Sequence, residues 1–238
     1  MGWSSVNTVM LQVGIPTADS SYDIDPSVGF LVPRCEGVHY VRELKEDAVD
    51  FDIFKSWLDF CQDGHTKSCG VRSSTSIPSL KLIDCNTRRL VPALNHKYLT
   101  LSYLWGPNQK SSSMSEALEL LPGDLPDTIE DAITVTRKLG FRYLWIDRYC
   151  IKQNTEEAHA QIRQMDLIYR NSEVTIIAAA GRDPSYGLPG VGHRRRIRQP
   201  RAKIGKHFLL STLQDPRVLI KGFFLDVQGM DLSRSSIV

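Results

Sequence analysis

Three short apolar segments alternate with two segments of helical periodicity, and this alternation constrains the fold more than any other feature of the chain. The apolar segments are residues 98–105, 143–147 and 174–180. Between them, apolar residues recur at helical spacing: Ile129, Ala132, Ile133 and Leu139, and then Ala158, Ile162, Met165 and Tyr169. Strands joined by crossover helices pair in parallel with right-handed connections. The sequence therefore predicts an α/β fold whose mainly parallel sheet is flanked by helices in three layers.

A β-hairpin is predicted just before the first of these strands. Residues 80–85 and 89–93 are rich in apolar side chains and flank the polar residues 86–88. The hairpin should extend the sheet with an antiparallel edge. Further along, Thr128 and Asp131 follow Pro126, and this pattern predicts a capping box at the start of the first crossover helix.

The rest of the chain predicts appendages around one domain. Residues 1–50 show no sustained period and should form a poorly structured leader, while residues 51–225 should form the α/β domain, beginning with a helix at 53–62. Residues 226–238 have neither period nor cap and should form an irregular tail.

Charge and composition exclude several classes of protein. The 29 basic and 27 acidic residues leave a net charge of +2, which by itself favours neither nucleic acid nor an anionic membrane. No apolar run is long enough to span a bilayer, no signal peptide begins the chain, and five cysteines are an odd, sparse set. We therefore expect a cytoplasmic protein with reduced thiols. The basic run at 193–203 is interpreted as a solvated loop, with a phosphate patch or nuclear signal as the alternative.

Polar side chains collect where the first two parallel strands end. In an open parallel sheet, ligands bind beyond the carboxyl ends of the strands. The residues at these two ends are Ser102, Tyr103, Trp105 and Gly106 on the first strand, and Asp147, Arg148, Tyr149, Cys150, Lys152 and Gln153 on the second. We predict that the two strand ends form one ligand site, although aromatic residues in a central strand, such as Tyr103 and Trp105, more often belong to the core. Gly106 should permit a sharp turn before Pro107.

No cofactor or metal is predicted with certainty. Cys61, His65, Cys69 and Cys85 are zinc-ligand types, but their spacing lacks the tight Cys pairs of structural zinc sites, so small buried cysteines are the favoured interpretation. Glycine-rich phosphate-binding motifs of the Rossmann and P-loop kinds are absent from the sequence.

Four motifs in order resemble the fungal heterokaryon-incompatibility (HET) domain. They are LSYLWG at 101–106, LPDTIEDAI at 125–133, LGFRYLWIDRYCIKQ at 139–153 and QIRQMDLIYRNSEVTIIAAAG at 161–181. The upstream segments at 57–69 and 80–85 resemble the leader of such proteins, so the resemblance spans about residues 54–192. It implies an intracellular module that triggers programmed cell death when genetically different fungal cells fuse, with a non-self recognition partner.

The resemblance also implies a candidate chemistry. HET domains have been likened to the Toll/interleukin-1 receptor (TIR) domain, some members of which cleave the nicotinamide bond of NAD. That reaction needs a carboxylate near a ribosyl cation. The candidates are Asp147 and Glu157, with Glu156 weaker; each glutamate could instead serve the helix dipole, Asp147 could be structural, and Cys150 as a nucleophile is disfavoured.

The sequence departs from the family pattern after the basic run. HET domains usually continue to Arg-Gly-Trp-Thr-x-Gln-Glu, whereas here residues 219–222 pass into FFLDVQGMDLSRSSIV. A truncated or misassembled gene model is therefore expected. Two alternatives to NAD cleavage follow: a non-enzymatic module that signals by self-association, and an inactive part of a longer protein.

Overall fold

The computed structural model describes residues 11–12, 30–33, 42–64, 77–106, 119–152 and 156–211, which divide into two compact units. The larger unit contains the described residues between 47 and 195, and the smaller contains the others. In chain order the elements are β1 (Leu11–Gln12), β2 (Phe30–Pro33), α1 (Phe51–Gly64), β3 (Lys81–Asp84), β4 (Arg89–Pro92), β5 (Tyr98–Ser102), α2 (Asp127–Lys138), β6 (Tyr143–Trp145), α3 (Asp147–Cys150), α4 (Glu156–Ile162), α5 (Met165–Asn171), β7 (Val174–Ile177), β8 (Arg201–Ile204) and β9 (His207–Ser211).

The larger unit is an α/β structure around a five-stranded sheet, ordered β4-β3-β6-β5-β7. β6 and β7 each pair in parallel with β5, whereas β3 pairs antiparallel with both β4 and β6. The α/β class and the antiparallel edge hairpin are thus confirmed. The sheet as a whole is mixed, and the prediction of a mainly parallel sheet is not confirmed.

The position of β3 beside β6 has a visible cause. The carboxylate of Asp84, at the end of β3, accepts hydrogen bonds from Arg142 Nε at 3.1 Å and from its terminal nitrogen at 2.7 Å. This ion pair lowers the pKa of Asp84 to about 2. Arg142 immediately precedes β6, so the pair holds the hairpin against that strand.

The parallel strands have the order β6-β5-β7, which is the order in which flavodoxin-like sheets begin. The connection from β5 to β6 and the connection from β6 to β7 run in opposite directions along the sheet. Right-handed crossovers then place α2 on one face and α5 on the other. Tyr98 marks the α5 face, because its hydroxyl donates to the carbonyl of Ile168 at 2.7 Å.

The core lies within the larger unit and is dominated by the central strands. All five residues of β5 are buried. The fully buried side chains include Leu82, Ile83, Leu99, Leu101, Leu144, Trp145, Ile146, Ile129 and Ile168. The hydroxyls of Thr100 and Thr175, on neighbouring parallel strands, satisfy each other at 2.8 Å.

The amino terminus of α2 is held by a distant loop, and the predicted capping box is wrong. The N-cap residue is Pro126, without a side-chain cap. Thr128 Oγ1 instead accepts the N–H of Gly187 at 3.1 Å, and Asp131 Oδ2 accepts the N–H of Leu188 at 2.7 Å. These side chains are buried, so they serve tertiary structure where local spacing indicated a cap.

The smaller unit contains a four-stranded antiparallel sheet, ordered β1-β2-β9-β8. The leader expected at 1–50 therefore includes two strands, and β2 pairs with β9 almost 180 residues later along the chain, Leu31 opposite Ser211. Such long-range pairing leaves no local periodicity to detect. The tail at 226–238 lies outside the described residues. Within the described ranges, no helix has the length and apolar character needed to cross a membrane.

Candidate functional site

The ends of β5 and β6 bring Trp105 and Asp147 together. β5 and β6 are adjacent and parallel, with Thr100 opposite Trp145, so the residues that follow them emerge at the same edge. The indole Nε1 of Trp105 donates to both carboxylate oxygens of Asp147, each at 3.2 Å. Two of the predicted site residues are therefore in direct contact.

Burial gives Asp147 an unusual affinity for protons. Desolvation raises the pKa of this carboxyl to about 6, against the opposing effects of hydrogen bonds from the backbone N–H of Arg148, at 2.7 Å, and from Trp105. A carboxyl with a pKa near neutrality can exchange protons at physiological pH, which is a common property of catalytic acids and bases.

Arg148 adds a cation to the same rim. Its guanidinium lies over the ring of Trp105, 5.7 Å from the ring centroid. Trp105 is 38% exposed. The rim thus presents a partly exposed indole, a cation and a carboxylate next to one another, a combination suited to a polar ligand that carries both rings and charges.

Two tyrosines, Tyr103 and Tyr169, lie near enough to Asp147 for its charge to affect them. Tyr103 is almost fully buried, and its hydroxyl has no hydrogen-bond partner among the described residues. Burial, with a smaller effect of Asp147, raises the pKa values of Tyr103 and Tyr169. The side chains of Ser102 and Tyr169 are hydrogen-bonded to each other, so Ser102 is in contact with one of these tyrosines. An orphaned buried hydroxyl is costly unless a ligand or water satisfies it.

Gly106 adopts a left-handed conformation, with φ +75°. A Cβ atom on this residue would lie 3.1 Å from Cβ of Asp183 and 3.4 Å from Cδ of Pro184. The close neighbour of Gly106 is therefore the chain's own 183–184 loop, and the turn by itself accounts for the glycine.

The remaining predicted residues are placed as follows. Cys150 is buried in the core, where the N–H of Ile146 donates to its Sγ at 3.4 Å and burial raises the pKa of the thiol to about 12. A protonated, enclosed thiol is a poor nucleophile. Gln153 lies outside the described residues. Glu156 and Glu157 begin α4, but their side chains also lie outside the description.

Sequence reasoning placed Arg148 at the strand end beside Asp147 but missed Tyr169 as a member of the site. Tyr169 was assigned to the apolar stripe of a helix, and its ring does pack edge to face on Trp145, at 5.6 Å between centroids. Helical periodicity indicates that the ring of a tyrosine is packed inside, but it does not indicate what its hydroxyl contacts.

No group of three or more metal-ligating side chains occurs within the ranges that the structure describes. Of the four residues considered for zinc, Cys61 is half-buried and Cys85 is buried, while His65 and Cys69 lie outside those ranges.

Comparison with known proteins gives one family and one curated relative to report. A model of the family described as Heterokaryon incompatibility protein (HET) matches residues 98–219, which include β5, both predicted strand ends and the basic run. A Neurospora crassa protein, "Heterokaryon incompatibility protein 6, OR allele", is 28% identical over 125 residues, covering 47% of this chain and 17% of the relative. The chain thus corresponds to a small part of that relative. No solved structure matches.

Proposed function

The chain belongs to the heterokaryon incompatibility family, and from this premise we propose that it is an effector domain of fungal non-self recognition. In this role the domain acts in the cytoplasm and triggers cell death when incompatible cells fuse. The curated relative, named as a heterokaryon incompatibility protein, supports this role. A partner that signals non-self is part of the proposal.

We propose further that the domain cleaves NAD, in the manner of TIR domains. The observation that supports this chemistry is the carboxyl of Asp147, whose pKa is raised to about 6 by burial and which lies beside an exposed indole at the ends of parallel strands. NAD is here a substrate. The aromatic face of Trp105 suits a nicotinamide or adenine ring, and the guanidinium of Arg148 suits a phosphate.

The proposed step is a hydrolysis of the bond between the ribose C1′ and the nicotinamide nitrogen. The bonding electrons leave with nicotinamide, which becomes neutral, and positive charge develops on the ribosyl carbon. The Asp147 carboxylate stabilises that charge. Water then adds to C1′, and Asp147 accepts the proton that the water loses, giving ADP-ribose, nicotinamide and one proton overall.

The test is release of nicotinamide by the purified chain at micromolar concentration. Asp147→Asn should reduce the rate by about 100-fold or more. The matched control is Asp166→Asn, which removes a carboxylate that is 64% exposed on α5 and should leave the rate unchanged. Glu157→Gln tests the other candidate carboxylate: if it abolishes turnover and Asp147→Asn does not, the catalytic role belongs to Glu157. No release by folded protein would reject NAD cleavage by this chain.

A non-enzymatic module that works by self-association is the second candidate, and the surface of α1 favours it. No residue of this helix is buried, and Trp57 and Phe60 are 54% and 64% exposed. Large exposed aromatics mark interaction surfaces. Sedimentation should then show a concentration-dependent oligomer that Trp57→Lys with Phe60→Lys dissociates; a strictly monomeric wild type would reject this candidate.

A further inference from the structure

The basic run that the proposed chemistry leaves unused contains an edge strand. β8 ends the four-stranded sheet, since it pairs with β9 and with no other described strand. All four of its residues, Arg201, Ala202, Lys203 and Ile204, have exposed side chains. An exposed strand edge is a template to which another extended chain can add.

The hydrogen-bond pattern identifies which backbone groups are available at this edge. The carbonyl of Pro200 accepts the N–H of Ser211 at 2.9 Å, which makes these two residues a hydrogen-bonded pair. Residues of an antiparallel pair alternate between groups directed at the partner and groups directed away. The N–H and C=O of Arg201 and Lys203 are therefore directed away from β9, to the edge where no described strand pairs.

The hairpin that carries this edge is well braced. Gly205, with φ +57°, begins its two-residue turn, as type II′ turns require. At its base, Gln199 is buried, and its amide donates to the carbonyl of Ser211 at 2.6 Å and accepts the N–H of Leu44 at 3.1 Å. A preorganised edge loses little entropy when a strand adds to it.

Charge indicates the chemistry of the occupant. Residues 196–211, which include β8 and β9, contain five arginines and lysines and no aspartate or glutamate, whereas the whole chain carries only +2. Arg198 and Arg201 pair with Glu46 and Glu43, both at 3.4 Å. No described carboxylate forms an ion pair with Lys203 or Lys206. A second copy of this basic edge would be repelled, so the occupant should be acidic.

We propose that the β8 edge binds an acidic peptide segment in extended conformation, as an added antiparallel or parallel strand. The backbone groups of Arg201 and Lys203 supply main-chain hydrogen bonds, and the surrounding cations select acidic side chains. The apolar side chain of Ile204, the last residue of β8, is 58% exposed and adds contact area. This surface shares no residue with the Asp147 site. A failure of the NAD-cleavage proposal would therefore not affect this one, and the reverse also holds.

The test is fluorescence anisotropy of the full chain with labelled peptides of about seven residues, an ordinary strand length. A peptide of alternating Glu and Val should bind, and the same peptide with Lys in place of Glu should not. Single-stranded oligothymidylate is the nucleic-acid probe. Tighter binding of the oligonucleotide than of the acidic peptide would overturn the proposal, because a strand edge offers no advantage to nucleic acid.

Lys203→Pro and Lys203→Ala separate main-chain pairing from charge. Both remove the ammonium group, but only proline removes the outward N–H, and proline is tolerated at the solvent side of an edge strand. We expect Lys203→Pro to weaken binding about tenfold more than Lys203→Ala does. A peptide N-methylated at alternate residues provides the same comparison on the wild-type protein, should the proline variant fail to fold. Equal affinity of the methylated and unmethylated peptides would refute strand addition.

Discussion

At the scale of single residues, Asp147 should destabilise the fold that contains it. Its pKa rises from 3.8 to about 6 on folding, so the folded state holds the proton more tightly than the unfolded state. The stabilising effect of this proton is complete below about pH 4 and is lost as the pH rises through 6. Above pH 6 the partly desolvated charge lowers the free energy of unfolding.

We therefore predict that Asp147→Asn raises stability above pH 6, by about 1–3 kcal/mol at pH 7.5. At pH 4 the variant should have no advantage, because the wild-type carboxyl is then protonated. Urea denaturation at the two pH values measures the difference. Asp166→Asn, on the surface of α5, is the control and should change stability little at either pH. A variant less stable than wild type at pH 7.5 would show that the Trp105 hydrogen bond outweighs the desolvation.

The left-handed turn at Gly106 is sufficient to explain why this position is a glycine. Gly106→Ala should lower stability by about 1–2 kcal/mol, because a side chain at φ +75° is strained, and Gly106→Val should lower it further against Asp183. Thermal denaturation and soluble yield of the two variants, measured beside killing activity in cells, check this. Loss of killing at unchanged melting temperature would instead assign Gly106 to a ligand site.

At the scale of elements, the contacts of Thr128 predict that its substitution loosens the loop at residues 187–188 and leaves helix α2 intact. Thr128→Val keeps the shape of the side chain but removes the acceptor for the N–H of Gly187. We expect a loss of about 1–2 kcal/mol and faster hydrogen exchange at residues 187 and 188, while the amides of α2 remain protected. Exchange measured by NMR resolves these positions. If α2 itself loses protection, Thr128 acts as a helix cap after all.

Elements were predictable where their pattern is local. The buried run of β5, the stripe of α2 and the turn of the β3–β4 hairpin each appear within a dozen residues of sequence. The pairing of β3 with β6 could not be predicted in this way, because the Asp84–Arg142 ion pair that supports it joins residues 58 positions apart in the sequence. Likewise, Asp147 was identified as a candidate from the strand-end rule alone, whereas its contact with Trp105 required the parallel register.

At the scale of the whole molecule, one hydrophobic core organises the larger unit. Every residue of that core cluster lies between 77 and 188, and the buried Leu209 and Leu210 of the smaller unit do not belong to it. A unit with its own core can fold alone. We predict that residues 47–195 expressed by themselves unfold cooperatively, with the near-ultraviolet dichroism of ordered tryptophan. A non-cooperative transition would show that this core depends on residues outside 47–195.

The net charge of the whole chain does not reveal a local excess of basic residues. A total of +2 indicated no partner, yet residues 196–211 contain five arginines and lysines and no aspartate or glutamate. The acidic residues that offset this run in the composition lie elsewhere in the sequence, and a ligand responds mainly to charges within about one Debye length of the surface it contacts.

The strand-end position of Trp105 and Asp147 has a consequence for diversification. Trp105 lies three residues beyond β5 and Asp147 two residues beyond β6, so two paired strands of the sheet set the starting points of both residues. Substitutions further along the loops can therefore change the surface around the pair without altering the frame that holds the carboxylate. Sequences of one family can diverge in their loops in this way while they keep the same strand ends.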